Sequence, residues 1–241
     1  DDRGGISGLA TIDFSDVVEN IDLDLAFDSI DFYAFGLTRI PTWFSSHLVA
    51  GLNEIAINDT YGQIELQDTQ IKNEKGTLHL NAINLAIVLD SIKTYSLVSD
   101  LVDIDLKGTF QLTDLVLNVP KNISTYKTYF TLGEEIQSTT DKGLDYTTIL
   151  NFKFKELNPL IDLLDLPLAI SDGALVEIEY NQKNDISFGI YAYIDTLAYK
   201  DRWFYNNELL VDASKDQGSK DVLALLQLNS DEQLWNDKIT T

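Results

Sequence analysis

Cysteine is absent from this chain of 241 residues, and proline and glycine are scarce, with 4 and 13 copies. Without cysteine, the chain has neither a disulfide framework nor a thiolate metal site. A compact β-sandwich needs a turn roughly every 8–12 residues, so the shortage of turn-forming residues favours longer strands. Histidine occurs only at His47 and His79, and neither lies in a sequence context typical of a catalytic triad. We therefore expect no enzymatic activity and neither a metal nor another cofactor.

Positive charge is also in short supply, because 17 Lys and Arg residues face 39 Asp and Glu residues, for a net charge of -22. A strongly acidic surface repels phosphate, which argues against nucleic-acid binding and against electrostatic docking on anionic membranes. Solubility is the simplest role for so many acids. Asp212, Ser214 and Asp216 resemble the start of a calcium loop, but Gln217 and Leu223 stand where such a loop needs Gly and Glu.

Long hydrophobic runs are missing as well. The most apolar stretch, residues 80–89, is far shorter than the ~20 residues that a membrane-spanning helix requires. The chain has no signal-peptide pattern and no methionine, and it begins at Asp1. We expect it to be a segment of a longer protein whose membrane anchor lies outside this segment.

Strict alternation of apolar and polar residues is the dominant pattern. It occurs in residues 21–28, 77–82, 102–112, 176–180 and 186–194. A period of two predicts half-buried β-strands that present one apolar face. The fold expected from this pattern is all-β, built on a long curved antiparallel sheet.

Two segments interrupt the strand pattern and predict short helices, residues 122–131 and residues 159–164. The second follows an Asn158-Pro159 pair, which suits a helix N-terminus. A lone strand is expected between them, over residues 150–155. The chain is therefore divided into a sheet segment (1–118), a helix–loop–strand–helix interruption (119–167) and a second sheet segment that continues the first (168–241).

An apolar–Asp–Ser/Thr–apolar step recurs three times and breaks the alternation each time. The three copies are Phe27-Asp28-Ser29-Ile30, Leu89-Asp90-Ser91-Ile92 and Ile194-Asp195-Thr196-Leu197. Each copy predicts a bulge or bend at the edge of the sheet. Chance recurrence in a chain rich in Asp, Ile and Leu is the alternative.

Several stretches, in order along nearly the whole chain, resemble the TamB family in the form found in Bacteroidetes, within the AsmA-like group of bridge-like lipid carriers. These stretches are residues 21–25 leading to 30–34, residues 62–69 with 73–76 and 78–85, residues 99–112, and residues 152–159 with the strand after Gly173. The resemblance is to a middle section of the family. It brings no catalytic residues.

The resemblance implies a sheet curled into a trough, or β-taco, with an apolar inner surface. It implies a periplasmic location, inner-membrane anchoring through another segment, transfer of phospholipid between the two membranes, and partnership with an outer-membrane barrel of the Omp85 type. The candidate contacts for phospholipid acyl chains are Ile21, Leu23, Leu25, Phe27, Ile64, Leu66, Leu78, Leu80, Ile104, Leu106, Phe110, Leu112, Val176, Ile178, Phe188 and Ile190.

Three alternatives remain open from the residues alone. Each candidate position could pack in an ordinary protein core. The chain could be an acidic β-sandwich that serves in binding or adhesion. It could also be a scaffold for outer-membrane protein assembly, because the edge of a long sheet can pair with a client strand.

Overall fold

The computed structural model describes residues 4–14, 19–54, 56, 58–113, 115–116, 146–182, 185–216, 221–235 and 238–240. Strands make up 72% of these residues, which confirms the all-β prediction. The strands are β1 (Gly5–Phe14), β2 (Glu19–Asp31), β3 (Thr42–Asn53), β4 (Tyr61–Asn73), β5 (Thr77–Val88), β6 (Lys93–Ser99), β7 (Val102–Gly108), β8 (Tyr146–Phe154), β9 (Leu168–Ile170), β10 (Leu175–Gln182), β11 (Asp185–Tyr199), β12 (Arg202–Asp216), β13 (Leu223–Trp235) and β14 (Lys238–Thr240). A short helix, α1, spans Asn158–Leu163.

All the strands belong to one antiparallel sheet, and their order in the sheet follows their order in the chain. The exception is β9, which pairs only with β11. The sheet does not close into a barrel and forms a long curved trough. The strand that the sequence places alone between two helices is β8, which joins β7 to β10. A single sheet therefore runs through all three predicted segments.

A line of irregularities crosses the sheet and bends its strands at the same level. Ser29 of β2, Asp68 of β4 and Asn206 of β12 have φ angles of 53°, 50° and 48°. The register shifts between Phe27 and Ile30, and the pairing of β11 with β12 skips Asp195. In β2 and β4, where the register against β3 shifts by one residue, a bulge adds one residue and increases the local twist, so the apolar step there is three residues instead of two. Between β11 and β12 the pairing is interrupted at Asp195, but the register does not shift.

Two of the three copies of the Asp–Ser/Thr step are confirmed as irregular positions within strands. Their expected location at the edge of the sheet is wrong, because β2 and β11 each have a neighbouring strand on both sides. The third copy falls elsewhere, because Asp90, Ser91 and Ile92 lie in the turn between β5 and β6.

Helix α1 packs beyond the bend line, where β6, β7, β8 and β10 have ended. Leu163 is buried together with Leu78, Leu80 and Leu101. The backbone of Ile170 in β9 exchanges two hydrogen bonds with the side chain of Asn158. The helix thus fills the space between β5 and β9 and covers one end of the trough.

The helix predicted over residues 159–164 is confirmed as α1, and the one predicted over residues 122–131 lies outside the described residues. The strand expected over residues 102–112 is too long, because β7 ends at Gly108. The backbone of Thr109 still bonds to Thr147, but the chain then turns, and Leu112 and Thr113 are helical. Residues 109–116, with Asp114 outside the described set, are called the strap below.

Candidate functional site

The register of the sheet places two uncharged rows of side chains next to each other on one face. The central row, running from β1 to β13, is Ala10, Leu23, Ala50, Ile64, Leu85, Leu97, Ile104, Phe152, Val176, Ala192, Leu209 and Leu228. The second row is Ile12, Ile21, Leu52, Gly62, Ile87, Tyr95, Leu106, Leu150, Ile178, Ile190, Val211 and Leu226. We call the surface that carries these rows the apolar face.

The opposite face is mostly polar at the same level of the strands. The row that alternates with the two apolar rows is Thr11, Asp22, Gly51, Gln63, Ala86, Ser96, Asp105, Asn151, Glu177, Tyr191, Leu210 and Gln227. Successive side chains of a strand point to opposite faces. The alternation seen in the sequence is therefore an apolar surface that is continuous over the sheet and an opposite surface that is mostly polar, with Ala86 and Leu210 as apolar members of its row.

The structure brings most of the sequence-predicted contacts onto the apolar face. Eight lie in the two rows: Ile21, Leu23, Ile64, Ile104, Leu106, Val176, Ile178 and Ile190. Leu25, Leu66, Phe27 and Phe188 lie on the same face by alternation with these eight. The remaining four have other surroundings.

Leu78 and Leu80 are buried beyond the bend line, against Leu163 of α1 and Leu101. Both still lie on the apolar side, since Ile83 packs against the same cluster, but they belong to a protein core. As candidate acyl-chain contacts they are therefore covered by α1 instead of lining the open trough, and the sequence pattern did not show where α1 would pack.

Phe110 and Leu112 belong to the strap and not to a strand. Phe110 is buried against Tyr180, and Leu106, Leu112 and Phe188 pack against this pair. The ring centroids of Tyr95 and Phe110 lie 5.9 Å apart. The strap therefore covers the apolar face at the end opposite α1, and Phe110 is a residue that covers the wall instead of forming it.

Sequence reasoning missed residues of the apolar face in β8 and β12, because the alternation of apolar and polar residues was not traced through these two strands. Phe152 and Leu150 of β8 and Leu209 of β12 fall in the two rows. The segment Ile149-Leu150-Asn151-Phe152-Lys153-Phe154 has its own period-two pattern, which would have predicted these positions in β8.

Exposure of the apolar face changes along the trough. Ile104, Phe152 and Val176, in the middle of the central row, are half-buried. At the ends, Ile12 of β1 is 50% exposed, and Leu226 and Leu228 of β13 are 72% and 71% exposed. The apolar surface therefore continues up to the last strands of the sheet, and it is least covered there.

The titratable groups of the described residues lie mostly away from the apolar face. His47, on the polar face, has its Nε2 atom 2.7 Å from Oδ1 of Asp24, and this hydrogen bond raises the pKa of His47. No group of three or more His, Asp or Glu side chains that could hold a metal ion is found in the described part of the chain. Among the described helices, none is long and apolar enough to cross a bilayer.

Comparison with known proteins yields no match: no family model, no curated protein and no solved structure is similar to this chain.

Proposed function

We propose that this chain is a segment of a periplasm-spanning conduit, in which phospholipid moves between the inner and outer membranes along the apolar face. The observation that carries the proposal is the pair of uncharged rows that continues from β1 to β13. The sequence resemblance to TamB supports the envelope location, the membrane anchor in another segment and an Omp85-type barrel as partner.

Acyl chains fit the geometry of these rows. They are non-directional apolar ligands that need continuous surface and no specific polar contact. Strands lie about 4.8 Å apart, so a row that crosses the strands from β1 to β13 extends over roughly 50 Å. Each methylene removed from water contributes about 0.8 kcal/mol. Because neighbouring positions along the rows offer similar apolar contacts, a lipid that moves from one pair of strands to the next keeps most of this contribution, and its free energy changes little.

The same surface argues against the β-sandwich alternative. A sandwich buries its apolar face against a second sheet. The described strands all belong to one sheet, and the middle of the central row is half-buried.

Assembly of outer-membrane proteins is the second candidate function, and one observation favours it. Strand β1 is ten residues long, is exposed along its whole length and pairs only with β2. An exposed edge of this kind can accept another strand.

Site-specific photo-crosslinking in cells that carry the full-length protein tests the conduit. A crosslinking residue would replace Ile104, Phe152 or Val176 in the central row, and the matched controls would replace Asp105, Asn151 or Glu177, their neighbours on the polar face. We expect lipid adducts at the first three positions and few at the controls. Equal labelling of both faces, or no lipid at any position, would contradict the conduit. Adducts of client strands at β1 without lipid in the central row would favour assembly.

A further inference from the structure

The apolar face is narrowest where its strands are shortest. Strands β6 and β7 have seven residues each, whereas β11 and β12 have fifteen. Because the side chains of a strand alternate between its two faces, β7 presents Val102, Ile104 and Leu106 to the apolar face, followed by Gly108, which has no side chain. The wall of the trough is therefore only three side chains wide at β7.

Two of these three side chains are covered. Val102 packs against the buried cluster that contains Leu163 of α1, and Leu106 packs against the cluster that contains Phe110 of the strap. Ile104, between them, is half-buried and belongs to neither cluster. The two covered positions are separated by four residues of a strand, which extend over roughly 13 Å. Among the described residues, an opening one side chain wide remains between α1 and the strap, and we call it the slot.

The slot continues over the neighbouring strands. In β6, Tyr95 packs against the strap cluster, whereas Leu97, the partner of Ile104, belongs to neither cluster. In β8, Phe152 continues the row outside both clusters. At β13, by contrast, Leu228 of the same row is 71% exposed. The slot is thus a partly covered section of a trough that is open at its end strands.

Both sides of the slot are held in place by side-chain hydrogen bonds. Nδ2 of Asn58 donates to Oγ1 of Thr113 in the strap over 3.2 Å. Helix α1 is joined to β9 through the two hydrogen bonds between Asn158 and Ile170. Close-packed protein groups yield little to a guest molecule, so a lipid has to fit the width that the two covers leave.

We infer that the slot admits the flexible acyl chains of a phospholipid and excludes lipids with rigid fused rings, such as sterols. The inference rests on the proposed function and adds a selectivity to it. An acyl chain needs only a continuous apolar surface, and it can bend to follow Leu97, Ile104 and Phe152 between the two covers. A fused-ring lipid makes its contact through a broad, rigid face, which requires uncovered side chains in both directions of the sheet.

Photo-crosslinking of the purified chain tests the selectivity with two probes, dioleoyl phosphatidylethanolamine and cholesterol. The crosslinking residue replaces Ile104 in the slot or Leu228 in the open part of the same row. The control position is Asp105, which follows Ile104 in β7 but lies on the opposite face. Mass spectrometry of the adducts measures the labelling by each probe.

We expect phosphatidylethanolamine to label both positions of the central row, and cholesterol to label Leu228 but not Ile104. Neither probe should label Asp105. Phe110→Leu, which keeps the strap apolar but shortens the covering side chain, should widen the slot and let cholesterol reach Ile104. Circular dichroism shows whether this variant is folded, and the labelling of the chain with Phe110 intact decides the inference even if it is not.

Four results would overturn the inference. Cholesterol could label Ile104 as strongly as Leu228, or it could label neither, in which case the exclusion would belong to the whole row. Phosphatidylethanolamine could label Leu228 without labelling Ile104, so that the slot would be closed to acyl chains as well. A folded Phe110→Leu variant could still exclude cholesterol from Ile104, so that the strap would not set the width. If neither probe labels Ile104 or Leu228, the proposed function fails instead.

Discussion

The side-chain amide of Asn73 donates a hydrogen bond of 2.9 Å to the backbone carbonyl oxygen of Leu163. Asn73 ends β4, and Leu163 is the last residue of α1. The last carbonyl groups of a helix have no partner within it, so this contact satisfies one of them. The other end of the same side chain accepts hydrogen bonds from the backbone of Lys75 and Gly76. One buried amide therefore holds both the β4–β5 turn and the helix that covers the end of the trough.

Replacing Asn73 should loosen that end of the trough. In Asn73→Ala, the Leu163 carbonyl and two backbone amides lose their partner, and we expect the free energy of unfolding to fall by about 1–3 kcal/mol. Urea denaturation measures the change. Asn84→Ala, at an exposed position of β5, is the control and should change little. An unaltered denaturation midpoint for Asn73→Ala would mean that α1 does not depend on this contact.

Phe110→Ala tests whether the strap is part of the folded core. Phe110 is 4% exposed, whereas Phe35, in the β2–β3 connection, is 64% exposed. Truncation of a buried phenylalanine costs about 3–5 kcal/mol. We expect a loss near the lower end of that range for Phe110→Ala, and almost none for Phe35→Ala. Amide hydrogen exchange should also accelerate in residues 109–113. If both variants behave alike, the strap does not pack as described.

Period-two alternation was enough to predict which side chains share a face, because neighbouring strands must keep their apolar residues in register. Ile21, Ile104 and Val176 are far apart in the chain, yet each falls on the apolar face. The pattern could not predict where a strand stops. Phe110 and Leu112 continue the alternation of β7, but the chain turns after Gly108, and both side chains then pack in the cluster around Tyr180.

The bend line was predictable only in part. At Ser29, the Asp–Ser pair interrupts an apolar alternation, and the break is visible in the sequence. At Asp68, the surrounding residues are Gln67, Thr69 and Gln70, so an extra polar residue breaks no visible pattern. A bulge can therefore be predicted from one sequence only where the residues around it alternate strongly between apolar and polar. The burial of Leu78 could not be predicted in this way, because it depends on contact with α1, a helix from a distant segment of the chain.

The hydrogen bond between His47 and Asp24, on the polar face, should make the stability of the folded protein depend slightly on pH. The hydrogen bond from Asp24 raises the pKa of His47 above its usual value of 6.5. The stabilisation from this pair is therefore complete below pH 6.5, and it is lost as the pH rises through the pKa of the folded state. An NMR titration should show the His47 pKa falling back towards 6.5 in Asp24→Asn. The response should also weaken with added salt, since both groups are exposed. An identical His47 titration in wild type and Asp24→Asn would disprove the interaction.

Ile104→Asp separates a lipid-facing wall from a closed core. Ile104 lies in the middle of the central row, and no buried cluster of the described residues includes it. It is a cleaner position than Leu106, which packs against Phe110 and Tyr180. Val98→Asp is the matched control, because Val98 is 46% exposed on the opposite face.

On an open or lipid-covered wall, the new carboxylate of Ile104→Asp can remain hydrated, so the free energy of unfolding should fall by no more than about 1–2 kcal/mol. In a closed core, the same change would bury an unpaired charge at a cost of several kcal/mol, and the purified domain would unfold.

Lipid transport should be impaired strongly by Ile104→Asp, although the stability of the protein changes little. A charge in the middle of the uncharged row places a barrier in the path of an acyl chain, because the chain must then displace the water around the carboxylate. Cells that carry full-length Ile104→Asp should therefore show an outer-membrane defect while the protein accumulates normally, and cells with Val98→Asp should not. If Ile104→Asp abolishes folding, the apolar face is a core and the conduit is wrong. If it folds and leaves the envelope intact, the central row does not carry lipid.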